Sequence, residues 1–188
     1  MSRRAAAFAL GVAVAILIGG LAVWLLGGHG RRGRRLGPRL VETGVDRVSL
    51  LADLYFPGDG SSLKPERREL AVTRSPKDQV RKVVEALLAG PTAPGLARPL
   101  PKEVALGSVL LGSDGVAYVD LQWANHDQPP AAGSDAELQM VYSVVDSIAL
   151  NVPQAPRVVL LWNGAQRQTF CGHLDTSRPL EPMRELLR

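Results

Sequence analysis

From residue 5 to residue 26 the chain reads AAAFALGVAVAILIGGLAVWLL, 22 residues without a charge. A helix of roughly 20 apolar residues crosses the hydrocarbon core of a bilayer, and a helix that is apolar on every face has no polar side to offer water. Trp24 lies near one end, where an indole suits the membrane interface. The run predicts a transmembrane segment over residues 5–26, preceded by a short tail, residues 1–4. It exceeds the roughly 7–15 apolar residues of a secretory signal. The LGGHG that follows offers no small-x-small cleavage site, so an uncleaved signal anchor is expected. The single cysteine is Cys171, far from the span, which argues against a lipidated anchor.

Charge separates the rest of the chain. Residues 1–47 carry eight arginines against Glu42 and Asp46, a net of +6; residues 48–188 carry 14 Lys/Arg against 16 Asp/Glu, a net of −2. The basicity thus belongs to the N-terminal part, and the domain lacks the basic stripe that a nucleic-acid reader needs. Residues 27–47 are rich in Gly and Arg, without periodicity, and read as a linker. Arg31, Arg32, Arg34 and Arg35 outnumber Arg3 and Arg4 across the span, so the positive-inside bias alone would hold the following domain in the cytoplasm.

Beyond the linker, VSLLADLYF (residues 48–56) is rich in β-formers and runs into PGDG, a turn signal. LKPERREL (residues 63–70) is a weaker strand whose Pro65 confines it to an edge. Ser75 and Pro76 suit the N-cap and first turn of a helix. Val80, Val83, Val84, Leu87 and Leu88 give it an apolar stripe, and Gly90–Pro91 stops it. Residues 104–111 and 116–121 read as a hairpin around SDG. Ser134 with Glu137 matches a capping box. It opens a second helix with its stripe at Leu138, Val141, Val144, Val145 and Ile148. RVVLLW (residues 157–162) reads as a central strand, Asn163-Gly164 as a tight turn, and residues 166–170 as the returning strand. A short helix is expected within residues 182–187. Two amphipathic helices on one face of a mostly antiparallel sheet make an α+β two-layer sandwich.

From about residue 48 to residue 178 these elements carry a series of short signatures: LYF (54–56), LLAGP (87–91), LP (100–101), DGVAYVDL (114–121), VVLLWNG (158–164) and GHLDTSRPL (172–180). In this order and spacing the chain resembles the GerMN, or sporulation and spore germination, family. The resemblance implies a domain over residues 48–180 with a C-terminal tail, 181–188, placed outside the cytoplasm. It implies a non-catalytic part in assemblies of the bacterial envelope, through envelope proteins or self-association, and neither catalytic residues nor a cofactor. It opposes the positive-inside count and outweighs it. Cys171 departs from the family, where a small residue is common.

FCGHLD (residues 170–175) gathers Cys171, His173 and Asp175, the raw materials of a thiol hydrolase acting on an envelope substrate. On an extended strand, however, side chains two residues apart stand about 6.5–7 Å apart, too far for a nucleophile and its base. Cys171 reads more simply as a small apolar residue, and Asp175 or Thr176 as the cap of a turn. His29, His126 and His173 have no partners at metal-ligand spacing. Asp114, Asp120 and Asp127 could be imagined as hydrolytic carboxylates, but Asp114 fits a turn and Asp120 the solvent side of a strand. Trp123 and Trp162 read as core or rim.

Overall fold

The structure, a computed structural model, describes residues 47–187. The expected membrane span, 5–26, and nearly all of the linker lie outside the described residues. No helix among the described residues is long and apolar enough to cross a membrane.

Two long strands come first, β1 (Arg47–Pro57) and β2 (Leu63–Thr73), paired antiparallel in unbroken register from Arg47 opposite Thr73 to Pro57 opposite Leu63. They form a sheet of their own. Pro65 sits opposite Tyr55 in β2, an edge strand, where its missing N–H costs no ladder bond. Helix α1 (Pro76–Leu88) follows, with Pro76 in its first turn and Val80, Val83, Val84 and Leu87 buried. Strands β3 (Ala105–Leu111) and β4 (Val116–Gln122) make the expected hairpin, turned by Gly115 in the left-handed region. Helix α2 (Ser134–Ala149) leads to β5 (Arg157–Trp162), and a two-residue β6 (Ala165–Gln166) closes the sheet order β3-β4-β5-β6.

The α+β class and both helices stand as expected, whereas the sheet differs in two respects. It is divided, with the β1–β2 hairpin separate from the four-stranded sheet. Its central pair, β4 and β5, is parallel, from Val116 opposite Arg157 to Leu121 opposite Trp162. The physical reason is the connection: β4 leaves through a long segment containing α2, and a helical crossover returns the chain in the same direction. The result is a mixed rather than a mostly antiparallel sheet.

The returning strand is also shorter than expected. Asn163 (φ 50°) and Gly164 (φ 81°) make the tight turn. Only Leu161 with Gln166 and Trp162 with Ala165 then pair. The chain thereafter bends, with one bridge between Thr169 and Asp175. A 3-10 turn, Arg184–Leu186, stands for the expected C-terminal helix.

The core lies between the helices and the two sheets. Leu54, Phe56, Val83, Leu87, Leu121, Val145, Ile148 and Trp162 are all essentially removed from solvent. Trp162 meets Phe170 edge-on at 5.7 Å, and the half-buried Trp123 at 6.3 Å.

Helix α2 binds the hairpin through a polar seam. The Asn151 side chain, just past the helix, accepts from the N–H of Asp53 at 2.9 Å and donates to its carbonyl at 2.8 Å. Ser147 Oγ accepts from the N–H of Tyr55 at 2.9 Å. Four helical residues advance about 6 Å and two strand residues about 6.7 Å, so the helix keeps step with alternate residues of β1. Ser143 lies one turn earlier on the same helix. Ser143 Oγ is buried and has no partner.

Candidate functional site

The segment 170–175 is a bent loop, not a strand end, and Glu137 holds it. Glu137 is fully buried. Its carboxylate accepts from the N–H of Cys171 at 2.6 Å and from the N–H of His173 at 2.8 Å, and lies 3.0 Å from His173 Nδ1. The N–H of Leu174 also contributes. Burial works against the charge, but these backbone donors outweigh it and hold the Glu137 carboxyl below its ordinary value. The capping-box expectation is corrected here. Ser134 is the first helical residue and Gly133 the N-cap, with no side-chain cap. Glu137 turns inward because three loop donors outbid a single exposed N–H on the helix end.

Cys171, His173 and Asp175 do not assemble into a catalytic row. The Cys171 contact to Glu137 is through its backbone, and no hydrogen bond joins its thiol to His173. Burial, with the Glu137 charge adding to it, pushes the Cys171 thiol up to about 11. A reactive cysteine needs the opposite shift. Half of the His173 side chain is exposed, and its ring is oriented by Glu137. Asp175 accepts from the N–H and hydroxyl of Ser177 at 2.9 and 2.6 Å, the turn cap expected of it. Beside the loop a groove of about 320 Å³ runs between Pro129, Pro130, Arg167, Phe170 and Cys171.

Asp120 is another correction. It is buried, not solvent-facing, and accepts from the N–H of Gly164 at 2.7 Å and from the Gln122 amide at 2.8 Å. Asp114 does make its turn, accepting from the N–H of Val116 at 3.2 Å. Among the described residues no group of His, Cys, Asp and Glu is arranged to hold a metal ion. His126 stacks on Trp123 at 3.7 Å, and its carbonyl accepts from Trp162 Nε1 and Asn163 Nδ2.

The LLAGP stretch and its flanks are fixed by two residues of β2, the buried Glu66 and the part-buried Arg68. Glu66 accepts from the N–H groups of Thr92 and Ala93 and from the Thr92 hydroxyl, each at 2.8 Å. Arg68 pairs with Glu66, donates to the carbonyls of Ala86 at 3.0 Å and Gly90 at 2.7 Å, and lies over the Phe56 ring. Burial opposes the Glu66 charge, yet these donors take its carboxyl down to about 2. Gly90 has φ 89°, the left-handed conformation a helix stop demands. Nothing in the local sequence announced this pair.

Among the described residues, Leu51 on β1 and Leu110 on β3 are the large hydrophobic residues left exposed, at 62% and 60%. Strand β3 is the edge of its sheet, and a bulge between Leu106 and Val109 bends it.

No curated protein matches the chain. Among solved structures, its fold is similar to a crystal structure of a lipoprotein candidate from Clostridium perfringens. The identity is 21% over 72% of this chain and 87% of that one, with a TM-score of 0.51. It is also similar to the tandem GerMN domains of the sporulation protein GerM from Bacillus subtilis. There the identity is 18% and the TM-score 0.52, over 73% of this chain but 47% of that two-domain structure. The family model named Germane, sporulation and spore germination, matches residues 53–168, more than half of the chain. The chain therefore belongs to the sporulation and spore germination family of GerMN domains.

Proposed function

We propose that this protein is a membrane-anchored, non-catalytic interaction domain of the bacterial envelope. Residues 5–26 hold it in the inner membrane with the N-terminus cytoplasmic, and residues 27–47 space the domain from the bilayer. The domain works outside the cytoplasm, in envelope assemblies, and the family description, sporulation and spore germination, supports that setting. The lipoprotein candidate of similar fold supports a membrane-tethered setting. Envelope proteins or further copies of the chain are its partners, and nucleic acid is not among them.

The observation that carries this reading is the pairing of an inert chemistry with a leucine left exposed on each of two strands. The thiol is pushed up rather than down, Glu137 is spent on backbone, and Leu51 and Leu110 stand exposed. Exposed leucines on strands suit docking by extended segments.

The first test is topological. A reporter active only outside the cytoplasm is fused through a spacer to Arg188, with a cytoplasm-only reporter as control. Activity of the first supports the reading. Activity of the second alone means that Arg31–Arg35 set the orientation and overturns the envelope placement. Catalysis is tested separately: envelope function unchanged in a Cys171→Ala, His173→Ala double variant is expected, and its loss would favour the thiol hydrolase.

A further inference from the structure

Residues 180–187 form a strap with three fastenings. At one end Leu180 exchanges both backbone bonds with Val158 of β5, at 2.8 and 2.9 Å. At the other, Leu187 bridges in parallel to Leu63 at the start of β2. Between them the N–H of Met183 donates at 2.9 Å to Oδ1 of Asp146 on α2. Leu180, Met183, Leu186 and Leu187 pack on the core from outside.

The middle fastening is chemically unusual. Asp146 is fully buried, and its Oδ2 has no hydrogen-bond partner. The Ser143 hydroxyl, one turn earlier on the same helix, is likewise buried without one. The titratable groups that face Asp146 are Tyr142 on α2, Tyr55 on β1, and Arg184 and Glu185 on the strap. One cation and one anion on the strap largely offset each other. A carboxylate with a bare oxygen is costly to bury, whereas the neutral acid is not, and it can itself donate.

We propose that the strap is a proton-sensitive latch, closed over α2 and β2 when Asp146 is protonated and loosened when Asp146 ionises. Burial is the largest influence on Asp146 and pushes it up to about 6 from the 3.8 of an exposed group. The N–H of Met183 and the charge of Arg184 pull the other way, and Glu185 adds to the rise. The closed form thus holds the proton more tightly than the open form. Closure is strongest below pH 3.8, weakens as pH rises towards about 6, and is level above that. Opening would uncover the edge of β5 at Val158 and the start of β2, two backbone edges ready to pair.

Amide hydrogen exchange of the full-length protein tests this. Leu180, Met183 and Leu187 report on the strap, and Val119 in β4 reports on global unfolding. After correction for intrinsic exchange, strap protection is expected to fall about tenfold between about pH 5 and about pH 7.5. Val119 should fall by no more than the same factor, because global unfolding also returns Asp146 to its ordinary value, and its protection should stay well above that of the strap. Asp146→Asn keeps the acceptor for Met183 and removes the titration, so it should flatten the profile. Strap protection independent of pH overturns the latch. So does a dependence that persists in Asp146→Asn, or strap protection equal to that of Val119, which would mean that the strap opens only with global unfolding. Arg184→Ala provides a second variant should the first fail to fold. It should move the midpoint to higher pH, and an unmoved midpoint would overturn the proposal.

Discussion

Oε1 of Glu137, on helix α2, lies 2.6 Å from the backbone nitrogen of Cys171, thirty-four residues further along the chain. That bond turns the most enzyme-like stretch of the sequence into a structural tie. The carboxylate is satisfied by backbone donors, and the thiol beside it is made less acidic by burial and, in lesser part, by the same charge.

Glu137→Ala should cost about 3–5 kcal/mol, since buried N–H groups lose a charged acceptor. Its carboxyl is held below the ordinary 4.5, so its contribution is complete above that value and is lost as pH falls through the lower folded-state value. Denaturant midpoints of wild type and variant should lie closer together in acid than at neutral pH.

Cys171 should resist alkylation in the folded protein. A thiol pushed from 9.0 to about 11 holds roughly 100-fold less thiolate at neutral pH. Mass-spectrometric labelling should be slower by at least that factor than in the denatured chain, and burial should slow it further. Labelling at the unfolded rate would mean the thiol is open and activated.

Three serine and asparagine positions on one seam should answer differently. Ser147→Ala and Asn151→Ala strip partners from the backbone of Tyr55 and Asp53 and should each cost about 1–3 kcal/mol. Ser143→Ala removes a buried hydroxyl that has no partner and should be neutral or stabilising. Equal losses at Ser143 and Ser147, measured by chemical denaturation, would contradict the seam.

Arg68→Ala should be among the most damaging single changes, at about 3–5 kcal/mol, because it strands the buried Glu66 charge and two carbonyls at the end of α1. Arg68→Lys should recover little, since one ammonium cannot reach both carbonyls and Glu66 with a fork's geometry. With Glu66 at about 2 against an ordinary 4.5, its stabilisation is present above pH 4.5 and disappears towards pH 2.

The sequence discloses what is periodic or local. The stripes of Val80–Leu87 and Val141–Ile148 locate both helices, because a 3.6-residue repeat of apolar side chains has few other uses. Asn163-Gly164 gives its turn because few pairs accept positive φ twice. What stays hidden is carboxylate burial. Glu137 obeys the spacing of a capping box, and only the distant loop that claims it reveals otherwise. Asp120 occupies a polar place in VAYVDL, but β4 is a central strand, so even that position is enclosed. The parallel pairing of β4 with β5 is likewise a matter of connection, not of residue pattern.

The clasp on β1 has a mechanical meaning. A pull arriving through the chain before Arg47 enters the domain along this strand. Its eleven residues are held by β2 on one side, and by Ser147 and Asn151 on the other. Force along the strand axis meets those bonds side-on and loads them together, in shear, instead of opening them one after another. Resistance to such a pull is set by the rate of forced unfolding rather than by equilibrium stability. The first strand of the domain is therefore arranged to bear tension along its own axis.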